Sequence, residues 1–281
     1  MRFHTAALAA TLSAVAVTAP TGAESTTLVA SGDGTLYESA TGALANGAGD
    51  WLFAGRTGGG VRRRGLLRFD LSAIPAGARI DAVTLSLTHS QGQPVTAAVE
   101  VHRALAAWGE GTSNADGNEG AGAPATPGDA TWLHTSFATA FWTTPGGDLA
   151  PEASAVTPVG PAIGLYTWTG AGLVADVQAW VDGAASNDGW ILVGDEASAG
   201  GTAKRFSTHE HPVRRERPTL VVEWTPPAPP ADIDGDGIVG PADLALLLGA
   251  WGQPGAADLD GDGAVGPADL AILLGAWTFT G

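Results

Sequence analysis

The chain has 281 residues and a formal net charge of −16, because 29 Asp and Glu outnumber 13 Lys and Arg. Such an acidic protein is poorly suited to bind nucleic acid or an anionic membrane surface, since both are held mainly through Lys and Arg. The chain contains no Cys, which excludes disulfides and a Cys nucleophile. Its length suits one mid-sized domain and a small second one.

The first 23 residues are typical of an export signal. Arg2 supplies a positive charge, Ala6–Val17 form a short apolar core, and Thr21-Gly22-Ala23 offer small residues for cleavage. We therefore expect residues 1–23 to be removed, which leaves a secreted protein that is extracellular or attached to the cell surface. The alternative is a buried N-terminal helix. The apolar core is too short for a stable anchor, so we expect no membrane span.

Residues 24–225 contain short runs in which every second residue is apolar, the pattern of a strand with one buried face. These runs are Leu67–Leu71, Val83–Thr88, Val99–His102 and Leu220–Trp224. Turn signals such as Pro75-Ala76-Gly77 and Asn187-Asp188-Gly189 separate the runs. Many strands with this punctuation favour an all-β sandwich.

Two segments depart from this pattern. The apolar residues of 174–181 fall at helical spacing and end before Gly183, which predicts one short helix across an edge or end of the sandwich. The stretch 108–161 is long, rich in Gly and poor in alternation. A loop of this size in a compact domain is often functional; the equally weighted alternative is a solvated insertion that covers one end of the sandwich.

Eight Trp lie between Trp51 and Trp224. Sugars stack their C–H faces on indole rings, and an exposed Trp is costly unless it has a use. Core or loop packing is the favoured alternative for most of them, above all for Trp180, Trp190 and Trp224 in their regular patterns. The candidates for carbohydrate binding flank or lie in the irregular stretch, and they are Trp132, Trp142, Tyr166 and Trp168.

The evidence for catalysis is sparse. The sequence has no Gly-x-Ser-x-Gly nucleophile elbow. His209 and His211 would form a metal pair on one strand face, without a third ligand that the sequence identifies; the alternative is a solvated edge or loop. A carboxylate pair for polysaccharide cleavage could come from four acids of the irregular stretch. These acids are Glu110, Asp116, Glu119 and Asp129.

The clearest motif is a repeat with a period of 26 residues, in which 231–251 and 257–277 differ at three positions. Each repeat begins with a loop that carries Asp at positions 1, 3, 5 and 12 and Gly at the turn position 6. Calcium takes about six to eight oxygen ligands, and carboxylates on alternate residues of a tight loop can converge on one ion. The alternative is an acidic, disordered tail. The predicted ligands of two Ca²⁺ ions are Asp232, Asp234, Asp236, the carbonyl of Ile238 and Asp243, and then Asp258, Asp260, Asp262, the carbonyl of Ala264 and Asp269.

A short helix is expected after each loop. Pro241 and Pro267 suit a first helical turn, because the N–H that they lack has no partner there. Two short helices cannot bury apolar stripes alone, so we expect the repeats to pack on each other as a two-fold-like pair, with folding coupled to calcium binding. The stripes follow i, i+3, i+4, i+7 spacing and comprise Leu244, Leu247, Leu248, Trp251 and Leu270, Leu273, Leu274, Trp277.

No helix is expected before the first loop, because residues 225–231 read TPPAPPA and successive prolines favour an extended spacer. A tandem of EF-hand-like loops, each followed by one helix and with Asp at position 12, resembles the dockerin type I family. The resemblance implies a cohesin-like protein partner in polysaccharide degradation or cell-surface assembly. Family members often contact cohesin through Ser or Thr at loop positions 10 and 11. The predicted partner-binding residues at these positions are Pro241, Ala242, Pro267 and Ala268.

Residues 64–77, which read RGLLRFDLSAIPAG, resemble the core strand of DNRLRE-domain proteins. Shorter stretches at 108–112 (WGEGT), 177–181 (VQAWV) and 217–222 (RPTLVV) fit the same family. These proteins are jelly-roll-like modules related to disaggregatase repeats and to some carbohydrate-binding modules. The resemblance spans most of 25–225 and implies a jelly-roll-like fold that binds polysaccharide.

Together these features predict an all-β, jelly-roll-like sandwich over 24–225, a Pro-rich linker over 226–230 and a small α-helical, calcium-binding, dockerin-like domain over 231–281. The expected function is that of a secreted, non-catalytic, polysaccharide-binding module, anchored to a cohesin-like partner in a calcium-dependent way. Two alternatives stay open. One is a polysaccharide hydrolase or lyase with its site in 108–161, and the other is a purely structural surface protein.

Overall fold

The computed structural model describes residues 22–278, so the predicted export signal lies, except for its last two residues, outside the described part of the chain. The chain divides into two compact units, one over Ala23–Thr225 and one that includes all residues from Pro226. The boundary falls where the Pro-rich linker is predicted, and residues 226–229 belong to no helix or strand. Among the helices of residues 22–278, none has the length and apolar character needed to cross a membrane.

The first unit is β-rich, which confirms the β-strand content predicted from its alternating runs. The four runs fall on its fourth, fifth, sixth and twelfth strands. The strands are β1 (Glu24–Tyr37), β2 (Leu44–Ala45), β3 (Trp51–Arg56), β4 (Arg62–Phe69), β5 (Arg79–Gly92), β6 (Ala97–Arg103), β7 (Ala123–Pro124), β8 (Ala155–Val159), β9 (Gly164–Thr169), β10 (Trp190–Gly194), β11 (Lys204–Ser207) and β12 (Thr219–Thr225).

Strand β1 takes part in two groups of antiparallel strands. Its first half, residues 24–29, pairs with β12, and its second half, residues 30–37, pairs with β4. The first group continues through β5, β11 and β3, with β9 also paired to β5, and the second continues through β10, β6 and β8. Leu85 of the first group and Leu192 of the second belong to one buried hydrophobic cluster. The inward faces of both groups therefore share a core.

The predicted short helix is present as α1 (Ala171–Val181). Its Trp180 is buried in the main hydrophobic cluster. Gln178 joins the helix to the beginning of β5, because its Nε2 donates to the Ala78 carbonyl at 3.0 Å and its Oε1 accepts from the Ile80 N–H at 2.8 Å. The helix therefore lies against the start of β5, as an end-crossing helix should.

The irregular stretch 108–161 is packed rather than solvated. Glu119 attaches it to the strands: its carboxylate accepts hydrogen bonds from Asn46 Nδ2 at 2.7 Å and from Trp51 N at 2.9 Å. Its carbonyl also accepts from the Tyr37 hydroxyl at 2.7 Å. The alternative of a solvated insertion is therefore wrong, because the stretch covers a second hydrophobic cluster. This second hydrophobic cluster consists of Leu36, Leu66, Ala104, Trp108, Ala130, Trp132, Trp142 and Ile191.

Gly189, in the predicted turn before β10, occupies a position that only glycine fits. Its φ is +74°, and a Cβ atom there would lie 2.2 Å from the Leu67 carbonyl oxygen. Gly183, after α1, has a φ of +67° but open space around it. We expect Gly183→Ala to lower the free energy of unfolding by about 1–2 kcal/mol, the cost of positive φ. Gly189→Ala adds a steric clash to this cost, so we expect it to lower the free energy of unfolding by about 3–4 kcal/mol. Urea denaturation measures both values, and equal losses would contradict this account.

The second unit contains two short helices, α2 (Pro241–Gly249) and α3 (Pro267–Gly275), which begin at the predicted prolines. Backbone hydrogen bonds link the repeats symmetrically, since Gly252 N donates to Val265 O at 2.8 Å and Thr278 N donates to Val239 O at 2.9 Å. The repeats therefore pack on each other as a two-fold-like pair, as predicted. The core consists of repeat-equivalent residues: Ala231 with Ala257, Val239 with Val265, and Leu247 with Leu273.

The predicted apolar stripes of these helices are buried only in part. Leu247 and Leu273 have no exposed surface. Two helices of 9 residues meet over a short contact, so each helix covers only part of the other's stripe. The stripe residues left outside are Leu248, Leu274 and Trp251, which are 52%, 53% and 44% exposed.

Candidate metal centres

The first Asp-rich loop brings three carboxylates together before α2. Asp232, Asp234 and Asp243 each place one oxygen within 4.8 Å of the others, a spacing that one metal ion can bridge. Asp232 also organises the turn, because its Oδ1 accepts the Gly235 N–H at 2.9 Å and its Oδ2 accepts the Gly237 N–H at 2.9 Å. The backbone of this loop is therefore closed around the carboxylate at position 1.

The second loop has the same backbone arrangement. Asp258 accepts the Gly261 N–H at 3.0 Å and the Gly263 N–H at 2.9 Å, as Asp232 does in the first loop. Its carboxylate lies within 4.8 Å of those of Asp260 and Asp262. The third carboxylate of the group is that of Asp243 in the first loop and that of Asp262 in the second.

Asp243 and Asp269, at position 12, connect each loop to its helix. Asp243 Oδ1 accepts the Ile233 N–H at 2.7 Å and its Oδ2 accepts the Gly240 N–H at 2.7 Å. Burial raises the pKa of Asp243, but the backbone donors outweigh burial and hold it below the usual value. The Gly266 N–H, with other backbone donors, likewise lowers the pKa of Asp269. Both side chains are therefore ionised acceptors at the base of the helix.

Several predicted ligands stand outside the two carboxylate groups. Asp236 Oδ1 accepts the Ile238 N–H at 2.8 Å, and Asp269 is occupied by backbone donors. The ligand roles of all ten residues stay predictions, and the structure groups six of their carboxylates, three in each loop.

The outward faces of α2 and α3 carry no charge. Asp243 and Asp269 are the polar side chains of the two helices, and both are buried. A helix surface without solvated polar groups is typical of a contact surface. The four predicted partner-binding residues all lie on it. The exposed residues, which we call the outward helix faces, are Pro241, Ala242, Ala245, Leu246 and Leu248 on α2 and Pro267, Ala268, Ala271, Ile272 and Leu274 on α3.

A third acidic cluster lies in the first unit. Asp33, Glu110, His209 and Glu210 each place one atom within 4.8 Å of the others. Burial raises the pKa of Asp33 to about 7 and raises the pKa of Glu110 above its usual value. Hydrogen bonds to Asp33 and Glu210 raise the pKa of His209 to about 10. At neutral pH His209 is therefore an imidazolium beside an only partly ionised Asp33, and its charge offsets part of the negative charge of the cluster.

The predicted pair of His209 and His211 does not form. Strand β11 ends at Ser207, and residues 209 and 210 form a bend that precedes His211. The His211 ring packs on the Trp51 indole, with ring centroids 4.6 Å apart. The expectation of two imidazoles on one strand face is therefore wrong. No sequence signal identifies Asp33 as a neighbour of His209, since 176 residues separate them.

Two of the four acids considered for a hydrolase or lyase have structural roles. Both carboxylate oxygens of Glu119 accept hydrogen bonds from the strand region. Asp129 has no exposed surface, and it accepts from Ser113 N at 3.2 Å and from Thr126 Oγ1 at 3.0 Å. Asp116 is exposed, and Glu110 belongs to the third acidic cluster. The hydrogen bonds of Glu119 and Asp129 therefore favour a structural role over a catalytic one for these two residues.

Three of the four aromatic residues predicted to bind carbohydrate are buried. Trp132, Trp142 and Trp168 expose 4%, 5% and 0% of their surface. Trp142 and Trp168 also donate their indole N–H to backbone carbonyls, both at 2.8 Å. Because a buried ring cannot stack on a sugar, the prediction is wrong for these three, and core packing explains them. Tyr166 is half-buried and stays a prediction.

A cleft on the first unit was not predicted. Its lining includes Arg63, Gln91, Asn118 and Arg205, and the Arg205 guanidinium lies 4.0 Å over the Trp51 ring. Side-chain amides and guanidinium groups donate hydrogen bonds to hydroxyl and carboxylate oxygens. The cleft therefore has the donor chemistry that a polar, anionic ligand requires.

Comparisons with known proteins add no family to these observations. The geometry of the acidic clusters, the outward helix faces and the cleft is the basis for assigning a function. No protein-family model matches the chain, and no curated protein matches it significantly.

Proposed function

We propose that the second unit is a calcium-ordered docking module that attaches the β-rich first unit to a partner protein outside the cell. One observation carries this proposal: both repeats combine a loop of converging carboxylates with a helix whose outward face is uncharged. The loop chemistry supports metal-dependent folding, and the apolar helix face supports protein contact. With the resemblance to dockerins, the favoured partner is cohesin-like.

The two outward helix faces are nearly identical, which has a consequence for docking. Leu246 and Leu248 on α2 correspond to Ile272 and Leu274 on α3, and all four are at least 40% exposed. A partner that recognises one face can therefore recognise the other after a half-turn of the module. Docking in either of two orientations follows from this symmetry.

A partner-capture experiment with the full chain tests the docking proposal. We expect extracellular proteins from the source organism to include one that binds in calcium and is released by a chelator. Leu248→Asp with Leu274→Asp should abolish capture, because a charge in each apolar face must be desolvated. Either single variant should retain capture through the other face. Leu165→Asp, at a 63% exposed residue of the first unit, is the control. Capture that survives both chelator and the double variant contradicts the proposal.

The first unit is proposed to be a jelly-roll-like, non-catalytic module that binds polysaccharide. Support comes from the resemblance to DNRLRE domains and from the polar cleft. Because all three predicted Trp are buried, we assign to the cleft the binding role first given to them. The Arg63 guanidinium is engaged by the carbonyls of Arg62 and Gly120, so the cationic donor for a ligand is Arg205, which favours an acidic polysaccharide over a neutral one.

A glycan array with the full chain tests the cleft. We expect binding to acidic polysaccharides, weakened about 10-fold or more by Arg205→Gln, since a hydrogen bond to a charged group contributes about 1.5–3 kcal/mol. Tyr166→Ala is the comparison, because this residue stays a candidate from the sequence. Loss of binding in Tyr166→Ala alone would move the site to that ring. Release of reducing sugars would contradict a non-catalytic role and favour the hydrolase or lyase.

A further inference from the structure

Asp33 is a buried carboxylate with an unused oxygen. The residue has no exposed surface, and its Oδ1 has no hydrogen-bond partner among the described residues. Glu210 Oε2, in the same cluster, is also buried without a partner in this part of the chain. A buried, unpaired carboxylate oxygen is destabilising. A bound cation would stabilise such an oxygen, because the cluster also contains two further carboxylates and an imidazole.

The His209 ring divides the three carboxylates into two sides. Its Nδ1 lies 3.2 Å from Asp33 Oδ2 and 3.5 Å from Glu110 Oε1. Its Nε2 lies 2.9 Å from Glu210 Oε1. A metal-bound histidine nearly always directs its other ring nitrogen to a carboxylate or carbonyl oxygen, which sets the tautomer. The Nδ1 atom, with Asp33 and Glu110, is therefore placed to bind a metal ion. The Nε2 atom is placed for Glu210 to orient the ring.

Backbone hydrogen bonds hold Asp33, Glu110 and His209 in place. Strand β1 shifts its register between Ala30 and Gly32, immediately before Asp33. The Asp33 N–H donates to Glu110 Oε1 at 2.8 Å, and the His209 N–H donates to Asp33 Oδ2 at 2.7 Å. Three segments that are distant in the sequence are thereby fixed around one point.

We propose that Asp33, Glu110 and Nδ1 of His209 bind one divalent first-row transition ion, with Glu210 orienting the imidazole. The imidazole ligand favours an ion such as Zn²⁺ over Ca²⁺, which prefers oxygen ligands alone, and Mn²⁺ serves as a paramagnetic probe of the same site. The ion takes the place of the proton on Nδ1 and joins β1, the irregular stretch and the bend after β11. It is a structural site that differs in ligand chemistry from the Asp-rich loops.

The imidazole provides a specific signature, because residues 226–281 contain no His. We would strip the full chain of metal, saturate it with Ca²⁺ and titrate it with Mn²⁺. Pulsed electron paramagnetic resonance then detects ¹⁴N coupling for Mn²⁺ bound to an imidazole, and not for Mn²⁺ bound by the oxygen ligands of the Asp-rich loops. We expect one such Mn²⁺ per chain. Absence of ¹⁴N coupling in the unaltered protein would overturn the proposal.

Four variants separate the ligands from the orienting residue. His209→Gln and Glu110→Gln should abolish the ¹⁴N-coupled Mn²⁺, and near-UV circular dichroism checks that each variant is folded. Glu110 is half-buried, so its variant tests the site even if His209→Gln does not fold. Glu210→Gln should weaken affinity about 10- to 100-fold while retaining the coupling. Asp116→Asn, at an exposed acid of the same stretch, should bind as the unaltered protein does. Unchanged ¹⁴N coupling in the folded Glu110→Gln or His209→Gln protein would refute the assignment.

Discussion

Removal of calcium should unfold the second unit and leave the first unit folded. Each bound ion adds about 2.7 kcal/mol when free calcium is 100-fold above its dissociation constant. Two ions would then supply about 5 kcal/mol, which equals the whole stability expected for a unit of about 50 residues. Without them, the converging carboxylates of Asp232, Asp234 and Asp243 repel one another, and the small core of Leu247 and Leu273 cannot compensate.

Hydrogen exchange, resolved by segment in the full chain, measures this outcome. After chelation, the amides of α2 and α3 should exchange at the rate of an unfolded chain, while those of β5 and β10 stay protected. Calorimetry should count two bound calcium ions in the unaltered chain and one in each of the variants Asp232→Ala and Asp258→Ala. Asp116→Ala, at an exposed acid of the first unit, is the matched control. Equal protection of α2 and α3 with calcium and with chelator would rule out a calcium-ordered module.

The second unit could be predicted closely because its determinants are local. The prolines, the loop acids and the leucine spacing all lie within one repeat, and the structure places α2 and α3 where they indicate. Periodicity shows which residues share a helix face, but it does not show how much of that face a neighbour covers. For this reason the exposure of Leu248 and Leu274 could not be predicted.

The first unit shows the opposite case. Alternation locates β4, β5, β6 and β12 because it depends on neighbouring residues. The third acidic cluster depends on strand pairing and on the path of the irregular stretch, which bring Asp33 to Glu110 across 77 residues. No pattern along the chain encodes that approach. The burial of the Trp residues could not be predicted either, since neither composition nor spacing distinguishes a ring packed in a core from a ring exposed to bind a sugar.

Trp132→Ala should be among the most destabilising substitutions in the first unit. The ring is 4% exposed in the second hydrophobic cluster, and loss of a buried Trp costs about 3–5 kcal/mol through lost transfer energy and the cavity that remains. The guanidinium groups of Arg62 and Arg64 lie 4.9 and 5.2 Å from the ring. Their cation–π contacts add about 0.5–1 kcal/mol each. The total is a large share of the roughly 5–15 kcal/mol that stabilises a domain.

Phe141→Ala is the control, because this aromatic side chain belongs to the same stretch but is 68% exposed. Its loss should change the free energy of unfolding by about 0.5 kcal/mol or less. Urea denaturation followed by circular dichroism compares the two variants, and the glycan array is repeated on both. If Trp132→Ala kept its stability and lost only glycan binding, the ring would have to face a ligand. A large loss of stability in Trp132→Ala, with little change in Phe141→Ala, assigns the Trp132 ring to the core.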